Sequence, residues 1–243
     1  FNLNSSLYCI YSMSDFIYAP PQQPWLDIIY QDDAIIVLNK PSGLLSVPGR
    51  LPEHNDSIAS RVQQQFPSAT IVHRLDMCTS GVILMALTKA AQSHISRQFQ
   101  QRSTAKYYYA RLEGIPTATS GSIDLPLRCD WPNRPRQMVD FIDGKPALTH
   151  WQVIAKQQVS DDKNKETIDS ATVLLKPVTG RSHQLRVHML ALGTPILGDE
   201  LYASAQGVAA AEHLQLHAAM LEIEHPLTSE RMEFKVSAPF PID

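Results

Sequence analysis

Residues 71–88 read IVHRLDMCTSGVILMALT, and no other stretch limits the fold of this chain so tightly. An apolar segment leads in, and the apolar run of residues 81–87 leads out. A helix needs about 20 apolar residues to cross a bilayer, so a run this short reads as a buried strand. Between the two apolar segments stand His73, Arg74, Asp76, Thr79 and Ser80, crowded onto one turn. Polar groups held between buried strands must be paired or put to use, since each unpaired burial costs about 1–3 kcal/mol. The residues alone leave two readings open: an ordinary turn on which Asp76 caps a neighbouring amide, or a catalytic turn.

The rest of the chain supplies the elements such a turn would hang on. Residues 27–30 and 34–40 predict two strands joined at Gln31-Asp32-Asp33, and KPSGLLSVPGR (40–50) predicts a loop. Asp56 or Asn55 is expected to cap a helix over 57–66, stopped by Pro67. Thr88 is expected to cap a helix running to Arg102, with Ala91, Ile95 and Phe99 on one face. Strands are predicted at 106–112, 121–125, 137–140, 147–155, 171–176, 214–224 and 232–236, with an exposed hairpin or loop at 157–170. A last helix is expected from Thr179-Gly180 through Leu192, closed by Gly193. Strands outnumber helices and short turns join them. The expectation is an α+β fold, a mixed and mostly antiparallel central sheet flanked by helices and loops.

Charge is polarised rather than scarce. The net value is −3, yet Lys89, Arg97, Arg102, Lys106 and Arg111 follow Met77 with no Asp or Glu among them. Arg128, Arg134 and Arg136 form a second group, and Lys176, Arg181 and Arg186 a third, with His183 and His188. Acidic residues gather at Asp161, Asp162 and Glu166 and around Glu222, Glu224 and Glu230. Such a surface can hold a polyanion, though solvated helix faces would give the same composition. Cys9, Cys78 and Cys129 form no CxxC pair, and His183 and His188 lie too far apart for ligands on one helix face, so no metal is expected. No Walker loop, GxGxxG or G-x-S-x-G elbow occurs, and no nucleotide or other cofactor is expected. Without a secretory signal or a disulfide framework, a reducing cytoplasm is the expected location. Residues 1–24 read as an N-terminal extension, with Met13 as the true start and what precedes it a tag or an over-long reading.

HRLDMCTSG (73–81) resembles the HRLDxxTSG signature of the RluA family of pseudouridine synthases, and His73 separates it from the RsuA relatives. Three more segments resemble that family in the same order: KPSGLLSVPGR, AKYYYARLEG and VTGRSHQLRVHMLALGTPILGD (178–199). CDWPNRPRQ (129–137) resembles the short member for which the family is named more than its larger relatives. The resemblance runs from about Trp25 to the end, which implies one catalytic domain over 25–243 without the S4-like domain of larger members.

It also implies a cofactor-free isomerase that breaks the N1–C1′ bond of a uridine in RNA, turns the uracil and rejoins it through C5. Asp76 matches the essential aspartate, taken as the single carboxylate of the site; a glycosidase would call for two. Arg186 matches the arginine that pairs with it, which favours a charged carboxylate. Tyr108 matches the tyrosine that stacks on the base and helps remove the C5 proton, while alternation turns Tyr107 and Tyr109 to the other face. Arg74 matches a wedge that fills the gap left by the flipped nucleotide. Arg97, Arg102, Lys106, Arg128, Arg134, Arg136, Arg181 and His183 are expected to bind RNA. The implied partners are stem-loops of 23S rRNA and of tRNA anticodon arms, met by a monomer. A catalytically silent RNA-binding protein on the same fold is the alternative.

Overall fold

Asp32 closes the first turn by accepting the amides of Ala34 and Ile35 at 2.7 and 2.8 Å, which folds β1 (Ile28–Gln31) back on β2 (Ile35–Lys40). The computed structural model describes residues 17–160 and 167–242; Met13, Asp161, Asp162 and Glu166 lie outside them. Ser57, not Asp56 or Asn55, caps α1 (Ile58–Gln65), through a reciprocal capping box with Ser60. Asp56 is engaged elsewhere, accepting from Arg61 Nε at 2.7 Å. Arg61 is fully buried and also donates to the carbonyls of Pro21 and Trp25, while the Tyr18 hydroxyl donates to Asp56 O. The lead-in from Tyr18 to Trp25 is thereby tied to α1.

The apolar segment before the turn forms only a two-residue strand, β3 (Thr70–Ile71), because His73 leaves the ladder to accept the Leu84 amide. The run after the turn is β4 (Ser80–Ala86), buried at every position. Gly81 has φ +112° there, and a Cβ would lie 2.2 Å from the Ala218 carbonyl oxygen, so only glycine fits. Thr88 caps α2 (Lys89–Gln101) as expected, and Arg102 ends it in the left-handed conformation.

β5 (Ala105–Glu113), β6 (Ser120–Asp124), a short pair β7 (Leu127–Cys129) and β8 (Gln137–Val139), then β9 (Leu148–Ser160) and β10 (Thr167–Pro177) follow. Residues 157–160 and 167–170, expected as an exposed hairpin or loop, take the hairpin form and continue the β9–β10 ladder, with alternate polar side chains facing solvent while the backbone pairs. α3 (Gln184–Ala191) begins five residues later than expected. Gln184 Oε1 accepts from the Thr179 hydroxyl and the Arg181 amide, and this holds residues 179–183 as a turn. α4 (Ala205–Ala209), β11 (Leu216–Glu224) and β12 (Arg231–Lys235) complete the chain.

The central sheet has ten strands in the order β1-β2-β4-β11-β5-β10-β9-β6, with β12 on β11 and β3 on β4. The β4–β11 pairing is parallel and the other strand pairings are antiparallel, an α+β architecture with few helices. Among the described residues no helix is long and apolar enough to cross a membrane. Apolar clusters cover both faces of β2 and β4, and a third lies between β5, β10 and α3. The polar turn that ends in β4 therefore projects from the most buried part of the sheet.

Candidate active site

The 40–50 loop holds the turn from beneath. Lys40, fully buried, donates from Nζ to the carbonyls of Pro41, Leu44 and Met77 at 2.8, 2.6 and 2.9 Å. Burial pulls its pKa down to about 7, against the attraction of nearby Cys78 and Asp76, while three carbonyls match the three donors of the ammonium. Ser46 Oγ donates to Leu75 O at 2.6 Å and accepts the Leu75 amide at 3.1 Å, and Ser42 Oγ donates to Cys78 O. On the other side His73 stacks on Phe99 of α2 at 4.8 Å; burial pushes its pKa down to about 3, so it stays a neutral acceptor. Asp76 is thus fixed by backbone contacts on both sides.

Its carboxylate meets the turn before α3. Oδ2 lies 3.5 Å from Arg186 Nη1 and 3.9 Å from His183 Nε2. Arg186 is shared: Nε and Nη2 donate to the buried Asp199 at 2.7 and 2.6 Å. Burial works against the guanidinium charge, but Asp199 and then Asp76 outweigh it and hold the proton more firmly than usual. Among the described residues that line the cleft Asp76 is the one carboxylate, as expected, but a second, Asp199, stands behind Arg186 within a family-like segment expected to hold none. Asp199 closes the last family-like segment, residues 178–199, and its position at the end of that segment was the signal to count it. Tyr202 was also missed; its ring lies 5.1 Å from both the Arg186 and the Arg136 guanidinium carbons.

These groups open into a cleft of about 790 Å³ lined by Asp76, Arg186 and Tyr108. Burial, then the Asp76 charge, pushes the Tyr108 phenol well above its usual range, so help in removing the C5 proton, if given as a phenolate base, is disfavoured. Tyr107 and Tyr109 line a separate pocket on the other face of β5. Arg74, Arg102, Lys106 and Arg181 stand around the cleft, and Arg74 is exposed. Arg97 is exposed on α2 but does not line it. The β7–β8 hairpin reaches the rim through Pro135 and Gln137, whereas Arg128 is ion-paired with Asp140 and Arg134 lies 4.7 Å over the Trp131 ring. His183 precedes α3 rather than riding on it, in the left-handed conformation at φ 51°, with its side chain turned to Asp76. Among the described residues no cluster of His, Cys, Asp or Glu could hold a metal ion.

A cleft with one carboxylate on a braced turn, a shared arginine behind it and cations at its rim suits chemistry on a polyanion in which positive charge develops. Comparison with known proteins agrees. Residues 34–191 match the family model for RNA pseudouridylate synthases. The dual-specificity RNA pseudouridine synthase RluA of Escherichia coli K12 is 57% identical over 223 residues, covering 92% of this chain and 98% of that protein. Its counterpart in Vibrio parahaemolyticus is 56% identical over 209 residues, covering 86% of this chain and 82% of the relative. The solved structure of human RNA pseudouridylate synthase domain containing 1 superposes with TM-score 0.72 at 31% identity, covering 89% of this chain and 84% of that one. The chain belongs to the RNA pseudouridylate synthase family and is an isomerase that converts uridine in RNA to pseudouridine.

Proposed function

We propose that Asp76 carries this isomerisation, on uridines presented in stem-loops of 23S rRNA and of tRNA anticodon arms. The observation behind it is the shared guanidinium: Arg186 approaches Asp76 at 3.5 Å while two of its donors are given to Asp199. Breaking the N1–C1′ bond leaves positive charge on the ribose, and a carboxylate that its partner does not fully neutralise stabilises that charge. The uracil then turns, C5 bonds to C1′, the C5 proton passes to water, and N1, freed from the sugar, takes up a proton in its place. Tyr108 serves as the platform against which the base packs. A cleft of about 790 Å³ has room for an extruded nucleotide, and Arg74 at its mouth is suited to enter the vacated stack.

Residues 25–243 act as one catalytic unit, and the unit itself reads its RNA. Arg102, Lys106 and Arg181, which line the cleft, meet phosphates, and Arg97, Arg128, Arg134 and Arg136, outside its lining, extend the track. Recognition of this kind follows the shape of a stem-loop more than a long sequence. The relatives are named for dual specificity, which supports two RNA classes here. Such substrates place the protein in the cytoplasm, acting as a monomer. A silent RNA-binding protein would have no use for the Asp76–Arg186–Asp199 arrangement.

RNA carrying tritium at uridine C5 tests the proposal. Turnover must release tritium to water, and Asp76→Asn abolishes release while RNA binding persists. Release by Asp76→Asn at the wild-type rate, or free uracil as the product, would overturn it.

A further inference from the structure

The cluster behind Asp76 contains a group for which the isomerisation as described has no part. His183 is half-buried, adopts a left-handed backbone that non-glycine residues rarely take, and points Nε2 at Asp76 Oδ2 from 3.9 Å. Its other nitrogen, Nδ1, lies 2.8 Å from the Tyr202 hydroxyl.

That hydroxyl has one proton to give. It accepts the backbone amide of Gln137 at 2.7 Å, and an amide can only donate. Its own proton therefore goes to one of two acceptors, His183 Nδ1 at 2.8 Å or the Gln137 carbonyl at 3.5 Å, and the nearer wins. Burial raises the Tyr202 pKa, which keeps the proton in place. With Nδ1 an acceptor, the neutral imidazole must carry its hydrogen on Nε2, the nitrogen that faces Asp76.

We infer that His183 is a positioning residue for Asp76: a neutral imidazole, locked by Tyr202 in the Nε2–H form, that steadies the carboxylate without neutralising it. This rests on the proposed role of Asp76. The charges explain why neutrality matters. Asp76 and Asp199 bring two carboxylates and Arg186 one guanidinium, so the cluster carries one negative charge in excess. An imidazolium at position 183 would cancel it and weaken the stabilisation of a cationic ribose. The groups that face His183 are Asp76 from the turn, Arg186 from α3, and Asp199 and Tyr202 from the segment after α3, with Arg136 over the Tyr202 ring. Burial favours the neutral form and Asp76 opposes it, and burial prevails.

The chain labelled with 15N-histidine reads the tautomer directly by long-range proton–nitrogen correlation. The expected pattern near neutral pH is the Nε2–H form for His183 in the wild type and a mixture of forms in Tyr202→Phe. An Nδ1–H form or an imidazolium in the wild type overturns the inference.

Kinetics give the second reading. His183→Gln should lower kcat about tenfold near neutral pH with KM little changed, and should move the acid-side fall in turnover to lower pH, because glutamine takes no proton. A merely structural role would lower activity and leave the shape of the pH profile as it was, which also overturns the inference. If His183→Gln does not fold, the wild-type tautomer decides. Activity in Asp76→Asn would sink the proposed catalytic residue, and that result is separate from the tautomer.

Discussion

Asp199 grips Arg186 along the whole edge of the guanidinium, with oxygens 2.6 Å from Nη2 and 2.7 Å from Nε, and both side chains are buried. The grip aims the remaining nitrogen, Nη1, at Asp76 and divides the positive charge between two carboxylates. Breaking a buried pair by removing one partner costs about 3–5 kcal/mol, since the other charge is left without compensation. Asp199→Ala should lose stability of that order in denaturant unfolding. Asp199→Asn, which keeps the shape, should fold but lose at least about tenfold in kcat as Arg186 turns its charge to Asp76. Wild-type turnover in Asp199→Asn would show that the sharing is incidental.

Arg74 sits one residue past His73, exposed at the mouth of the cleft, with no hydrogen bond or ion pair to hold it among the described residues. A side chain placed this way contributes little to folding, so Arg74→Ala should leave the melting temperature within about a degree. On a stem-loop, where the uridine must leave its stack, kcat/KM should fall by about tenfold to a hundredfold. On an unstructured oligonucleotide the loss should be much smaller. Fluorescence of 2-aminopurine next to the target would report the flip directly. Equal losses on both RNAs would remove the wedge role.

The polar turn was legible because its residues are contiguous, although only the family resemblance gave it a role. His73, Arg74 and Asp76 fall within four positions, and the uninterrupted apolar run behind them can only be a buried strand. The cap at Thr88 and the face carrying Ala91 and Ile95 are local patterns too, and they hold. What failed was set at a distance. The start of α3 depends on the Gln184 side chain, which bonds Thr179 nearby but also the Leu148 carbonyl and Thr149 on β9. His183 was counted with a basic group and expected to bind RNA, because the fold that turns its side chain to Asp76 is not visible in the sequence. Asp199 could be seen, but not that it would be buried against Arg186, because a loop must first bring it back across β5. The stretch 157–170 was read as an exposed hairpin or loop, and the hairpin holds, with its ladder running through Gln157–Ser160 and Thr167–Ser170.

Tyr108 is held in its phenol form by burial and by the charge of Asp76, so no phenolate is ready to accept a proton from C5. The expected pH profile is flat on the alkaline side, with no rise in kcat toward the ordinary tyrosine range near ~10. Tyr108→Phe removes the hydroxyl and keeps the ring, so it should retain RNA affinity. A rate in the wild type that climbs with alkaline pH, and is flat in Tyr108→Phe, would restore the phenolate role.

His217 pins the parallel β4–β11 junction of the sheet and should shape the acid limb of stability. Its Nδ1 lies 2.9 Å from the Ser80 hydroxyl and its Nε2 lies 3.3 Å from the Val236 carbonyl, partners that a neutral imidazole satisfies by accepting at one nitrogen and donating at the other. Burial, only partly offset by the Val236 carbonyl, lowers its pKa from 6.5 to about 4. Between those values the unfolded chain binds a proton at this position that the folded chain refuses. Stability from this group is therefore fully present above the unfolded value of 6.5 and is lost as pH falls toward about 4. The slope reaches at most about 1.4 kcal/mol per pH unit. His217→Asn cannot take the proton, so its unfolding free energy, measured in urea across that window, should depend less steeply on pH than that of the wild type. Two parallel curves would mean that His217 already carries its charge in the folded sheet.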